Sequence, residues 1–218
     1  MAEFYVFDMD HTLLENDCDV SWKEFMVSCG LAPESAIAES DRFYELYLEG
    51  KLDFNEFVAF QLKEFAGRTP EDMRALADSH FERIVKSRVR PKALDYVKSV
   101  IASGKKTAIL TSTNTVIAEP VGRYFGIELV IGADLEVADG LYTGNITGIY
   151  TAGEGKAQVV RQLSEKYGIP LEKFAAFGDS INDLALLKTV GEPYAVSPVA
   201  SLKAEAEKLN MPVLEWRM

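Results

Sequence analysis

Residues 4–10 decide the fold, and they read Phe4-Tyr5-Val6-Phe7-Asp8-Met9-Asp10. Four apolar side chains that favour strands are followed by two acids, which predicts a short buried strand ending in a polar loop. The same arrangement occurs twice more, where residues 107–110 lead into Thr111 and residues 174–177 lead towards Asp179. Functional groups in open α/β sheets gather beyond the carboxyl ends of the strands. These polar residues therefore indicate one site.

The rest of the sequence after residue 90 alternates between strand and helix patterns. Further strands are expected over residues 128–131 and near 194–196, and Asp139-Gly140 predicts a hairpin turn between two short strand arms. Residues 111–114 are expected to form a polar segment between a strand and a helix. We therefore predict an α/β fold with a Rossmann-like parallel sheet and helices on both faces.

Residues 18–86 have a different character, with apolar side chains at helical spacing and no strand signal. We predict a core domain of residues 1–14 and 87–218, with an all-helical cap domain of residues 15–86 inserted after the first strand. Most of the aromatic side chains in this segment are expected in its own core: Phe25, Phe43, Tyr44, Tyr47, Phe57 and Phe60.

The composition limits the class of partner. The chain has 218 residues, with 23 Lys and Arg against 34 Asp and Glu, for a net charge of −11. This balance argues against a nucleic-acid partner and against an anionic membrane surface. The sequence begins without the basic and apolar regions of a secretion signal, and no apolar run approaches the ~18 residues of a membrane span. We expect a cytoplasmic protein, and the sequence leaves its oligomeric state open.

The candidate metal ligands are four carboxylates, which we expect to converge: Asp8, Asp10, Asp179 and Asp183. Buried acids repel one another and lose solvation, and a divalent cation offsets both effects. All the candidate ligands are oxygens, with no Cys or His pair at zinc spacing, so we expect Mg²⁺.

The same residues suggest phosphoryl transfer to water. Asp8 is placed to attack phosphorus and form an aspartyl-phosphate. Asp10 is placed to protonate the leaving alkoxide and then to deprotonate water. Lys156, with Thr111, Ser112 and the backbone N–H groups around them, is expected to hold the phosphate.

Four motifs in this order resemble the signature of the haloacid dehalogenase superfamily: Asp8-Met9-Asp10-His11-Thr12, Thr111, Lys156 and Gly178-Asp179-Ser180-Ile181-Asn182-Asp183. The helical insert after the first motif is similar to the cap of subfamily IB, the phosphoserine phosphatase-like group. Residues 10–14, 111–114 and 153–156 resemble the bacterial branch described as histidinol-phosphate phosphatase-like.

This resemblance implies roles for individual residues. Asp8 matches the nucleophile and Asp10 the acid/base, while Asp8, Asp179 and the main-chain carbonyl of Asp10 match the Mg²⁺ ligands. Thr111 and Lys156 match phosphate contacts. The resemblance also gives Asn182 a contact on the phosphate side and Asp183 a supporting role for Lys156 or the metal.

The implied substrate is a small phosphorylated metabolite, with an amine group as in histidinol phosphate or phosphoserine. Asp17 stands where phosphoserine phosphatases carry a Glu that meets the substrate ammonium. The residues after Leu52-Asp53-Phe54 lack the Arg that binds the substrate carboxylate, for which Arg42 is a candidate substitute. A phosphotransferase and a non-catalytic binding module remain alternatives, and the role of His11 stays open.

Overall fold

The computed structural model describes residues 1–48, 51 and 53–218. Seven strands are found there: β1 (Phe4–Phe7), β2 (Lys106–Asn114), β3 (Leu129–Ala138), β4 (Leu141–Thr147), β5 (Phe174–Gly178), β6 (Glu192–Val196) and β7 (Val213–Leu214). They form one sheet in the order β4-β3-β2-β1-β5-β6-β7. Every pairing is parallel except that of β3 with β4, which form the predicted hairpin. The predicted parallel α/β fold is confirmed.

The helices of the described residues are α1 (Cys18–Ser28), α2 (Ser35–Leu48), α3 (Phe54–Gln61), α4 (Pro70–Arg83), α5 (Pro91–Ala102), α6 (Thr115–Phe125), α7 (Glu154–Tyr167), α8 (Leu184–Thr189) and α9 (Ala200–Lys208). Polar side chains cap several N-termini: Asp17 accepts from Val20 N–H, and Thr69 accepts from Asp72 N–H just before Pro70. None of these helices has the length and apolarity that spanning a membrane requires.

Side chains of β1 alternate between the two faces of the sheet, as the pleat requires. Phe4 and Val6 pack with α7, α8 and α9 on one face. Phe7 packs on the other face, where α5 and α6 lie and where its ring stacks on Phe177 at 4.7 Å. The central strand is therefore buried on both sides, which holds its carboxyl end in a defined place.

Two strands run further than expected. The expected polar segment of residues 111–114 belongs to β2, whose pairing with β3 shifts register after Leu110 and resumes at Asn114 opposite Ala133. Threonine fits an extended backbone well, so a polar sequence can remain in the sheet. The expected strand of residues 128–131 and the first hairpin arm form one strand, β3. The short edge strand β7 was not predicted.

The chain enters and leaves the helical segment at adjacent points. Leu14 bridges Val89, and Glu15 N–H donates to the Arg88 carbonyl at 2.7 Å. The buried guanidinium of Arg90 bonds Glu15 and the main-chain carbonyl of His11. The division into a core of residues 1–14 and 87–218 and a cap of residues 15–86 stays a prediction.

In the helical segment Trp22, Phe25 and Phe65 pack together, within a buried core that continues onto the α5 and α6 face of the sheet. Of the other aromatic side chains expected there, Phe43 is buried and Phe57 and Phe60 are half-buried. Tyr44 is an exception, because it is 56% exposed on α2. The side chain of Tyr47 lies outside the described residues.

His80 lies at the centre of this core. Its ring meets Trp22 edge to face, and its Nε2 lies 3.0 Å from Ser21 Oγ. Ser21 Oγ in turn accepts from the Asn16 amide at 2.8 Å. Burial lowers the pKa of His80 to about 4, because the charged ring would lose its water. The neutral ring is thus part of the native packing.

Acidification should destabilise the protein through His80. The unfolded chain takes up this proton near pH 6.5, while the folded chain resists it until about pH 4, so stability falls over that interval. We expect His80 to contribute a loss of about 2 kcal/mol between pH 7 and pH 5. Guanidinium unfolding of wild type and His80→Gln at both pH values measures this. Equal pH slopes in the two proteins would contradict it.

Candidate active site

The site lies where three neighbouring strands end at the same edge of the sheet. Asp8 directly follows β1, Asp179 directly follows β5, and Thr111 lies in β2 on the other side of β1. The Asp8 N–H donates to the Phe177 carbonyl at 2.9 Å, which keeps Asp8 in line with the parallel pairing. The sheet topology thus brings together residues that are far apart in sequence.

Lys156 is the cation of this site. It lies in the first turn of α7 and is 2% exposed, and its ammonium donates to Asp8 Oδ1 and to Asp183 Oδ1, each at 2.6 Å. Burial alone would lower the pKa of Lys156, but the two carboxylates outweigh it and raise that pKa. Lys156 therefore stays charged. Gly155 permits this approach, since a Cβ there would lie 1.9 Å from the Tyr150 carbonyl oxygen.

Asp183 uses both of its carboxylate oxygens as acceptors. Oδ1 takes the Lys156 ammonium, and Oδ2 accepts the N–H groups of Asp179 and Ser180 at 3.1 and 3.2 Å. Gly178 makes room for this side chain, because a Cβ there would lie 2.5 Å from Asp183 Cβ. Asp183 thereby ties the turn after β5 to Lys156.

Three carboxylates meet around this point. Oxygens of Asp8, Asp179 and Asp183 all lie within 4.8 Å of one another, and all three residues are buried. Burial raises the pKa of Asp8 to about 6, against the lowering effect of Lys156. Burial, with repulsion from Asp8 and Asp183, raises the pKa of Asp179 to about 9. The single positive charge of Lys156 does not offset the negative charges of three buried carboxylates.

The donor set fits a hard divalent cation. No hydrogen bond to the Asp179 carboxylate is found among the described residues, and the raised pKa values reflect charge that a cation would stabilise. Carboxylate oxygens at this spacing suit Mg²⁺, which favours few protein ligands together with substrate oxygens. Asp8 and Asp179 are the side chains more available to it, since Asp183 already accepts from the Lys156 ammonium, two N–H groups and the Ser180 hydroxyl.

The carboxylate of Asp10 lies outside this group, contrary to the expectation that four carboxylates converge. Its Oδ1 accepts from Cys18 N–H at 3.0 Å, and its Oδ2 accepts from Thr113 Oγ1 at 2.7 Å. Burial and then repulsion from Asp17 raise its pKa well above the ordinary range. A protonated Asp10 would be suited to donate a proton. The resemblance assigns its main-chain carbonyl, rather than its side chain, to the metal.

The remaining candidates occupy varied positions. Thr111 is buried, and its Oγ1 accepts from Thr113 N–H at 3.2 Å. Ser112 is half-buried beside the site, and Asn182 is half-buried in the turn after β5. Asp17 is half-buried, with Oδ1 serving as the N-cap of α1. The structure thus brings Thr111 to the strand ends, while Asp17 lies at the start of the helical segment.

Other residues considered at the sequence level lie elsewhere. Arg42 pairs with Glu39 at 2.7 Å on the exposed face of α2. His11 is exposed in a left-handed conformation at φ 54°. Leu52 and the side chain of Phe54 lie outside the described residues.

A cleft between the helical segment and the sheet contains residues that sequence reasoning missed. It encloses about 290 Å³, including space open to solvent. Asp19, Phe57 and Gln61 line it from the helices, and Ser112, Asn114 and Ile146 line it from the sheet. No motif marks these helical residues, because only the packing of α1 and α3 beside the sheet brings them together.

Comparison with known proteins agrees with this architecture. A family model for haloacid dehalogenase-like hydrolases matches residues 5–188. The chain therefore belongs to the haloacid dehalogenase-like hydrolase family, which confirms the predicted family and the prediction of a hydrolase.

Two relatives carry phosphatase names. A histidinol-phosphatase of Neisseria meningitidis is 33% identical over 222 residues. The alignment covers 100% of this chain and 100% of the relative. A phosphoserine phosphatase of Mycobacterium tuberculosis is 27% identical, over 97% of this chain and 70% of the relative. The similarity to both phosphatase branches agrees with the predicted subfamily.

Solved structures support the fold. A Bordetella pertussis protein described as having unknown function superposes with a TM-score of 0.89 at 31% identity, over 98% of this chain and 99% of that one. A substrate-bound phosphoserine phosphatase superposes with a TM-score of 0.73 at 19% identity, over 100% and 95% of the two chains. At that identity the second match speaks for the fold alone.

Magnesium should stabilise the protein through Asp179. A ligand present at a hundred times its Kd adds about 2.7 kcal/mol, which for a chain of this size raises Tm by roughly 5–10 °C. Asp179→Asn should be more stable than wild type without metal, since the buried wild-type carboxyl must either carry a like charge or take up a proton on folding, and should lose most of the Mg²⁺ response.

Calorimetric melting with and without Mg²⁺ measures both effects. The matched control is Asp41→Asn, at an exposed position of α2. An equal rise in Tm in Asp179→Asn and wild type would show that the cation binds elsewhere.

Proposed function

We propose that the chain is a Mg²⁺-dependent phosphatase that hydrolyses a small, amine-bearing phosphomonoester through an aspartyl-phosphate on Asp8. Histidinol phosphate and phosphoserine, which the names of the relatives suggest, are candidate substrates. The observation that carries the proposal is the Asp8 carboxylate at the end of the central strand, paired with buried Lys156 and close to the Asp179 carboxylate. This arrangement offers a nucleophile beside a place for an anion.

The first chemical step would be attack on phosphorus by a carboxylate oxygen of Asp8. The new O–P bond forms as the bond from phosphorus to the alcohol oxygen breaks. Lys156 orients the Asp8 carboxylate and offsets negative charge on the phosphoryl oxygens, and Thr111, Ser112 and Asn182 are proposed as further phosphate contacts. Asp8 and Asp179 would hold Mg²⁺, which would supply positive charge to offset that of the phosphoryl group.

Asp10 would move the proton in both steps. It first donates a proton to the departing alkoxide, and then takes one from the water that attacks the phosphorus of the aspartyl-phosphate. The bond between the Asp8 oxygen and phosphorus breaks, which releases phosphate and restores the Asp8 carboxylate. The contacts with Cys18 N–H and Thr113 Oγ1 hold the Asp10 side chain for this work. Because Cys18 begins α1, the helical segment takes part in positioning the acid.

The nucleophile is tested with Asp8→Asn, which keeps the shape of the side chain. We expect kcat to fall by at least ~10⁴, since the attacking group is lost. Phosphate release is measured from a panel that begins with histidinol phosphate and phosphoserine, with and without Mg²⁺, and Asp41→Asn serves as the control. Ordinary turnover by pure Asp8→Asn would refute the role of Asp8. No release from any compound by the wild type would refute the phosphatase.

The acid/base is tested with Asp10→Asn and two kinds of leaving group. Turnover of an alkyl phosphate should fall by about 10²–10⁴, because the alkoxide needs a proton. With p-nitrophenyl phosphate, whose leaving group needs none, we expect a burst of one p-nitrophenolate per enzyme followed by slow turnover. Stopped-flow absorbance records the burst. An equal loss on both substrates, without a burst, would contradict this role.

A further inference from the structure

Two hydrogen-bond acceptors without donors line the cleft beside the proposed site. The Asp19 carboxylate has no hydrogen bond among the described residues, although its side chain is half-buried. Gln61 is 9% exposed, and its Oε1 is buried without a hydrogen-bond partner. A buried acceptor without a donor costs about 1–3 kcal/mol. Both acceptors therefore favour a ligand that brings N–H groups.

Lys23, a buried cation of the helical segment, does not donate to Asp19 or to the Gln61 side chain among the described contacts. The ammonium of Lys23 is directed to Glu64, to the Phe60 carbonyl at 2.6 Å and to the Gln61 carbonyl at 3.4 Å. These three acceptors match the three donors of an ammonium group. Lys23 lies one helical turn after Asp19 but forms no ion pair with it among the described contacts. Asp19 is left available to a ligand.

The other groups in the cleft narrow the chemistry of that ligand. Among the described residues the lining contains no Lys, Arg or His, so it offers a carboxylate only neutral donors such as Ser112 and Asn114 and no cationic partner. Phe57, Leu62 and Ile146 supply an apolar wall. The cleft suits a small cationic group on an apolar carbon frame.

The cleft adjoins the proposed reacting groups. Cys18, next to Asp19, donates its N–H to one oxygen of Asp10. Thr113, between the lining residues Ser112 and Asn114, donates to the other oxygen. The cleft therefore lies near the Asp10 carboxylate, whose pKa is raised by burial and also by repulsion from the Asp19 carboxylate.

We propose that Asp19 and Gln61 together bind the positively charged nitrogen of the substrate, and that the substrate is an amino alcohol phosphate without a free carboxylate. This assignment rests on the proposed phosphatase function and makes its substrate class specific. It differs from the role that the sequence suggested for Asp17, whose Oδ1 is engaged as the N-cap of α1. Burial and repulsion from Asp17 raise the pKa of Asp19 to about 7, and a bound cation would favour its charged form.

The test compares histidinol phosphate with propyl phosphate, which has no cation. In Asp19→Asn we expect the ratio of the two kcat/KM values to fall about 10- to 100-fold, the effect of one hydrogen bond to a charged group. Gln61→Met should lower the same ratio less, because only a neutral acceptor is removed. Glu24→Gln, exposed on the same helix, is the matched control and should leave the ratio unchanged. Thermal melting confirms that each variant is folded.

A second comparison uses phosphoserine, which carries both an ammonium group and a carboxylate. Wild type should prefer histidinol phosphate by at least about tenfold, the effect of a buried charge that lacks its partner. An unchanged ratio in folded Asp19→Asn, or a preference for phosphoserine, would overturn the assignment.

A binding measurement separates this proposal from the phosphatase itself. Calorimetric Kd values of histidinol phosphate and propyl phosphate are compared in Asp8→Asn and in the Asp8→Asn, Asp19→Asn double variant. A selectivity that falls tenfold in the double variant supports the subsite, even if the wild type releases no phosphate. Equal selectivity in both variants rejects the subsite while leaving a measured hydrolysis intact.

Discussion

The ammonium of Lys156 lies between the carboxylates of Asp8 and Asp183, and the arrangement of the whole site depends on this contact. Three acids within 4.8 Å cannot all remain charged in a buried place without compensation. Lys156 offsets part of that charge and stays protonated because of it. The negative charge that Lys156 does not offset falls mainly on Asp179, so a bound cation would have its largest effect there.

The contact brings together segments that arrive from different directions. Asp8 comes from the central strand, Lys156 from the start of α7, and Asp183 from the turn after β5. Their close approach requires small residues nearby, and Gly155 and Gly178 are where a Cβ would collide with backbone or with Asp183. These two glycines are not required for their conformational freedom. They are required because a Cβ at either position would overlap atoms that are already there.

Most of the fold and the positions of the acidic residues were predictable from sequence. The rule that strands deliver polar groups at their carboxyl ends placed Asp8, Thr111 and Asp179 at one edge of the sheet. The direction of the Asp10 side chain was not predictable, because it depends on Cys18 and Thr113, which only the tertiary structure brings near. The full length of β2 was not predictable, because a polar sequence is typical of a loop, whereas this strand continues through an irregularity at residues 111–113 and pairs with β3 again at Asn114. Asp19 and Gln61 gave no signal, since neither belongs to a motif and their shared cleft arises from packing.

The adjacent crossings at Leu14 and Val89 have a consequence for how such a protein can diversify. Both ends of the helical segment leave the sheet side by side, joined by backbone hydrogen bonds and by the Arg90 guanidinium. A segment attached in this way needs only neighbouring ends, whatever its length or internal topology. Evolution can then exchange or remodel the helical segment without rebuilding the sheet beneath it.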